Sequence, residues 1–356
     1  MRAKQGKLIL ATGLMASLIV GCDKSADSFS LLADEASFQQ VASFAPKKID
    51  VLWVVDNSGS MATSQANIAT NFNSFINRFS QYNYDFNMAV VTTDGWHKMF
   101  PSNYVNTKDE RFRDGTGTNH SGVFVMDRNT PNLTQMFTTN VKVGTTGDGD
   151  ERAFESFRQS LQSSFNISQN FRREDAFLAI IIVSDEEDYS NTTRSLTENY
   201  NSSNLIPVST YVSFLDTYTK RLPNTLPNYS VNAIAVLDSA CQSQLSTDGF
   251  ARKIANRYMQ IADLTGGVKG SLCGDFGNTL SLISDSILEL SSAFQLSREP
   301  VISTLRVVVD GAVVPNDISN GWTYDSATMT VTFHGSAVPG AMANIQILFD
   351  PMTVKE

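Results

Sequence analysis

Apolar residues fall along this chain in two rhythms. Near-continuous runs at 49–55, 86–92, 176–183 and 230–237 read as strands buried on both faces, as in the middle of a parallel sheet. Between them the period is helical: Ala69, Phe72, Phe75, Ile76 and Phe79 share one face of a helix over 62–79. Further helices are expected near 151–163, 207–219, 249–264 and 277–294, with a short edge strand at 122–126. The stretch 95–120, rich in Gly, Asn and Asp, is too polar for a core and reads as a long insertion loop. Strands alternating with helices predict an α/β fold, doubly wound around a mostly parallel sheet, over residues 47–294. After Pro300 the rhythm changes to strict alternation at 301–309, 322–325, 329–334 and 343–349, with Asp310-Gly311 as a hairpin turn. Residues 300–356 therefore read as a small antiparallel, sandwich-like β-domain, which at that size needs to pack on the α/β domain. Residues 22–46, rich in Ser, Ala and Asp, read as a tether with one short helix at 33–42.

Ligands of such sheets sit outside the C-terminal ends of the strands. The first strand ends in Asp56-Asn57-Ser58-Gly59-Ser60. Asn-Ser-Gly alone is ordinary turn chemistry, but a carboxylate and two hydroxyls at alternate turn positions also offer hard oxygen to one small divalent cation. Two more segments share that setting. Val143-Gly144-Thr145-Thr146-Gly147-Asp148-Gly149-Asp150-Glu151 precedes a helix, and Ile180-Ile181-Ile182-Val183-Ser184-Asp185 ends a strand. Together the three segments resemble the von Willebrand factor A-type (VWA) domain and its metal-ion-dependent adhesion site (MIDAS).

The resemblance spans 47–294 and implies a VWA/Rossmann-like fold with metal ligands at Asp56, Ser58, Ser60, Thr145 and Asp185, the last directly or through water. Thr146 is the alternative in the second loop, where an acidic Gly-rich insert changes the usual spacing to the helix. It further implies Mg2+, with Mn2+ or Ca2+ as substitutes, and a protein partner whose Asp or Glu carboxylate fills the open coordination position. The ion lets an acidic protein accept an acidic group that it would otherwise repel. Asp94, Asp148, Asp150, Glu186, Glu187 and Asp188 crowd the same rim, as a solvated acidic loop or as a second site for Ca2+.

The ends and the cysteines speak of export. Arg2, Lys4 and Lys7 precede an apolar stretch from Leu8 to Val20 that is short for a membrane span. Ile19-Val20-Gly21-Cys22 looks like a bacterial lipobox, which implies a signal peptide over 1–21 and a lipid on Cys22. The expected address is the bacterial cell envelope, at the outer membrane or cell surface. The periplasmic face of the inner membrane is the alternative that Asp23 would favour. With Cys22 lipidated, Cys241 and Cys273 remain, as a disulfide in an oxidising compartment or as two buried thiols. Losing the three basic residues of the leader takes the net charge from −9 to −12, which argues against nucleic acid or anionic lipid as the main partner.

Catalysis finds little support. Ser58 lacks a G-x-S-x-G setting, and His97, His120 and His334 have neither metal-ligand spacing nor a neighbouring base pattern. His97 and His120 read as surface residues of the polar insertion. A metal-assisted hydrolase therefore stands as the rival reading and a non-enzymatic binding protein as the main one. A structural or carbohydrate-binding envelope lipoprotein is the third: Trp322 and Tyr324, two apart on a strand, would share a face for stacking on sugar or for core packing.

Overall fold

A six-stranded sheet carries the molecule: β1 (Lys48–Val55), β2 (Asp85–Thr92), β3 (Met126–Asp127), β4 (Phe177–Ser184), β5 (Tyr229–Ala235) and β6 (Lys269–Ser271). The computed structural model describes residues 38–42 and 48–352, apart from 224, 251, 341 and 342. The leader, Cys22 and most of the tether lie outside the described residues. The spatial order is β3-β2-β1-β4-β5-β6, parallel throughout except for the edge strand β3. The apolar runs are central because both faces of each must be covered. On β1, Ile49, Val51, Trp53 and Val55 point to one helical layer, while Leu52 and Val54 point to the other.

The first layer is α1 (Ala62–Gln81), α2 (Leu133–Val141) and α6 (Phe276–Ser291); the second is α3 (Ala153–Gln162), α4 (Val208–Tyr218) and α5 (Asn256–Thr265). Trp53 has no exposed surface and meets Phe75 and Phe137 edge-on, each at 5.2 Å between ring centroids. This is the doubly wound α/β arrangement, and it sets the carboxyl ends of β1 and β4 next to each other.

The C-terminal strands add two small antiparallel sheets. Arg306–Val309, Ala312–Val314 and Ile345–Phe349 form one, and Trp322–Asp325 with Thr330–Phe333 and Phe294–Gln295 form the other. Val307, Val331, Phe333, Ile345 and Ile347 are fully buried and share a core cluster with α1 and α6. Trp322 belongs to that cluster, with Nε1 donating to the Val314 carbonyl at 2.9 Å, so it is spent on packing and is not a platform for sugar.

Three local expectations are corrected and unexpected helices are added. Phe38–Ala42 is a strand added to Ile345–Phe349, not part of a helix, because that strand offers an open ladder of backbone groups. The polar segment after β2 is not simply a loop. It begins with a 3-10 helix at Thr93–Met99 and buries Trp96, His97 and Phe112. Leu133–Val141 is helical although its apolar period is weak. The helix expected at 249–264 starts only at Asn256, and a separate one, Ser239–Leu245, follows β5.

Cys241 on that helix is joined by a disulfide to Cys273 just after β6. The bridge closes a loop of 32 residues. Replacing both cysteines by serine is expected to cost about 3–4 kcal/mol through the entropy returned to the unfolded chain. Chemical unfolding of the two forms checks this; equal midpoints would refute it.

Candidate metal centre

Asp56 leaves β1 with its N–H still bonded to the Val183 carbonyl of β4 at 2.9 Å, so the two strand ends advance together. Its carboxylate is fully buried. Oδ1 accepts the Ser58 N–H at 2.7 Å and Oδ2 accepts the Ser184 hydroxyl at 2.7 Å. The Ser58 and Ser60 hydroxyl oxygens lie 3.1 Å apart, and Ser60 donates to Asp185 Oδ1 at 3.1 Å. Four of the five side chains singled out in the sequence, Asp56, Ser58, Ser60 and Asp185, are thus one connected polar group, drawn from positions over a hundred residues apart.

The second loop is clamped onto the first. Buried Gln65 on α1 donates through Nε2 to the Asp56 carbonyl at 2.9 Å and to the Gly144 carbonyl at 2.7 Å. The Gly147 N–H donates to the Asn57 carbonyl at 2.8 Å. A Cβ at Gly147 would lie 2.3 Å from Asn57 Nδ2, so any larger residue there must displace the Asn57 side chain from its bond to Asp94. Thr145 is half-buried in that loop and Thr146 is exposed. Among the described residues, no hydrogen bond joins either hydroxyl to Asp56, Ser58, Ser60 or Asp185.

Electrostatics mark the same spot. Burial, followed by the negative charge of Asp185, pushes Asp56 up to about 6. Burial also raises Asp185, although the Arg252 guanidinium lies beside it with Nε 2.5 Å from Oδ2. Burial and then Asp56 push Glu186 up to about 7. Glu151, one residue into the rise toward α3, is 1% exposed, and neither carboxylate oxygen has a hydrogen-bond partner. Burial, and then Asp56, raise it well above the usual carboxylate range. Burial first, and repulsion between neighbouring carboxylates second, hold these protons on, and a bound cation would offset both. The donors are all hard oxygen, so the residues fit a divalent ion of the Mg2+ or Ca2+ kind.

The rest of the acidic rim is neither solvated nor an obvious second cage. Asp150 pairs with Arg152, Asp188 pairs with Arg257, and Glu187 accepts the Arg257 N–H. Asp94, His97 and Asp148 each offer a ligand atom within 4.8 Å of the others. Yet His97 is no surface residue: its Nδ1 and Nε2 are bonded to Asp109 and Asp148, both at 2.8 Å, and its ring stacks on Tyr104. Burial alone would lower its pKa, but the bonds to Asp109 and Asp148 carry it up to about 9. The cation in this cluster is the imidazolium itself.

A raised histidine stabilises the fold fully below about 6.5, and that stabilisation is lost as pH rises through about 9. His97→Gln should therefore remove on the order of 3 kcal/mol of stability at pH 6 and flatten the decline between pH 6.5 and 9. Urea unfolding across that range measures it, and an unchanged slope would refute it.

Several parts of the centre had no signature in the sequence. Gln65 looks like any polar helix residue, Asn57 and Ser184 like turn residues, and Arg252 like a loop cation.

No family model matches this chain, and no curated protein matches it. Among solved structures it is similar to a von Willebrand factor type A protein from Catenulispora acidiphila, at 9% identity and a TM-score of 0.37, covering 90% of this chain and 67% of that one. Proximal thread matrix protein 1 from the mussel byssus, with a zinc-occupied MIDAS motif, is 10% identical with a TM-score of 0.36, over 71% of this chain and 50% of that one. The pilus adhesin SpaC from Lactobacillus rhamnosus GG, in its open conformation, is 12% identical with a TM-score of 0.39, over 85% of this chain and 38% of that one. The chain thus spans half or less of the mussel protein and the adhesin.

Proposed function

We propose that this chain is a binding protein of the VWA kind that grips a protein partner through a divalent ion held at the carboxyl ends of β1 and β4. The observation that supports it best is the meeting of Asp56, Ser58, Ser60 and Asp185 in one oxygen-lined group at the rim of a doubly wound sheet. Mg2+ is the expected ion, with Mn2+ or Ca2+ as substitutes, since hydroxyls and carboxylates without sulfur or imidazole suit hard cations. These side chains hold and orient the ion, and the ion supplies a positive point for an Asp or Glu carboxylate of the partner. In this reading the protein is not an enzyme. Cys22 carries the lipid that fixes it to the bacterial cell envelope, at the outer membrane or cell surface.

The test is capture by the full-length lipidated chain held in detergent micelles. A defined set of envelope proteins should bind in Mg2+, elute on chelation and be absent when Asp56→Ala replaces the wild type. Retention of the same proteins through chelation and through the substitution would refute the reading.

A further inference from the structure

We propose that Glu151 supplies the second loop's ligand to the divalent ion, in the role that the VWA resemblance assigns to a threonine at 145 or 146. This rests on the metal-binding reading above. A carboxylate taken from water without a partner is costly, and native proteins leave one so placed only where something else compensates it. Glu151 is 1% exposed, and both of its oxygens are unpartnered.

The nearby cations are already engaged. Arg152 is held by Asp150 and by the carbonyls of Thr193 and Ser195, with its guanidinium 3.9 Å over the Trp96 ring. Arg252 serves Asp185 and Asp248. Thr93 lies near, but its hydroxyl donates to Asn57 at 3.3 Å. What faces Glu151 instead is more negative charge, that of Asp56 first and then Asp94 and Glu186. The backbone holds it there, since its carbonyl accepts the Tyr189 N–H at 2.6 Å. The backbone around Thr145 and Thr146 is clamped to the first loop through Gly144 and Gly147, but among the described residues neither threonine hydroxyl is bonded to Asp56, Ser58, Ser60 or Asp185.

The charge balance agrees with this role. Asp56, Glu151 and Asp185 bring three negative charges, and Arg252 with a divalent ion brings three positive ones. For these three carboxylates alone the balance equals that of a two-carboxylate site without an arginine, and Glu186 and the Asp248 partner of Arg252 make the surroundings more negative still, which favours a cation. Arg252 is then the positioning residue that lets a third carboxylate enter.

The experiment is calorimetric titration of the full-length chain with MgCl2 and MnCl2, alongside thermal unfolding with and without each ion. Glu151→Gln keeps the shape and removes an unpaired charge, so the metal-free variant should unfold at or above the wild-type temperature. Its metal affinity should fall at least tenfold, while Thr145→Ala and Thr146→Ala change affinity by less than twofold. Glu151→Asp, which retains the charge but withdraws it by one methylene, should lose at least threefold and serves if the glutamine form does not fold. Wild-type affinity in both Glu151 variants, with binding abolished by Asp56→Ala, would overturn the inference and leave the metal site standing. Absence of metal binding by the wild type would overturn both.

Discussion

Asp56→Ala is expected to erase the stabilisation that a divalent ion gives this protein. With ion present at a hundred times its dissociation constant, the wild type should gain about 2.7 kcal/mol, or roughly 5 °C in unfolding temperature. The variant should gain nothing. Metal-free, the two should differ little, because two opposed effects meet at this residue. Alanine forfeits the bonds from Ser58 N–H and the Ser184 hydroxyl, but it also removes a buried charge that Asp185 repels.

The pH dependence has a definite sign. A carboxyl raised to about 6 in the folded state favours the fold below the unfolded value of 3.8, and that contribution is lost as pH rises through about 6. Protons and metal compete for the same oxygens, so the metal-induced shift should shrink as pH falls below about 6. Scanning calorimetry at pH 5 and 7.5, with and without Mg2+, measures each part. An Asp56→Ala protein that still shifts with metal would remove this residue from the site.

The sheet was legible in the sequence because its central strands are apolar on both faces apart from a few polar positions such as Asp50 and Asn232. A run such as Ile180-Ile181-Ile182-Val183 satisfies no helix of a surface layer and no half-exposed strand, so a central parallel position is what remains. α1 was legible for the opposite reason, since its phenylalanines repeat at helical spacing. The pairing of Cys241 with Cys273 followed from counting once Cys22 was set aside.

What stayed hidden is polar and buried. The segment around Trp96 and His97 has the composition of a loop, yet it is drawn inward because His97, Asp109 and Asp148 satisfy one another. No hydropathy pattern carries that information, since it depends on partners distant in the chain. The metal centre divides along the same line. Asp56, Ser58 and Ser60 share one turn and could be read together, and Asp185 was marked by its strand end. Glu151 and Arg252 acquire meaning only when folding has buried the first without a partner and set the second against Asp185.

Six positions earlier on the same strand, Asp50 shows what a buried carboxylate does when the protein supplies its own cations. It has no exposed surface. It accepts from Arg172 Nη1 at 3.1 Å, from Arg173 Nε at 2.8 Å and from the Arg173 backbone N–H at 2.7 Å. Arg173 reaches on to Asp85 at 2.8 Å, tying the entry to β4 onto the amino ends of β1 and β2. Asp50→Ala leaves two largely buried guanidinium groups facing an apolar gap, and removing one partner of such a network costs about 3–5 kcal/mol. Because a strand rises about 3.3 Å per residue, Asp50 lies roughly 20 Å from Asp56. The metal-induced shift of the Asp50→Ala protein should therefore match that of the wild type, while its unfolding midpoint in urea falls sharply. A loss below about 1 kcal/mol would mean that Arg172 and Arg173 find water or other acceptors when the carboxylate is gone. A changed metal response would mean that the two ends of β1 are coupled. The opposite outcomes expected at Asp50 and Asp56, large stability loss with metal response intact against metal response lost with stability intact, separate the charge that builds the sheet from the charge reserved for an ion.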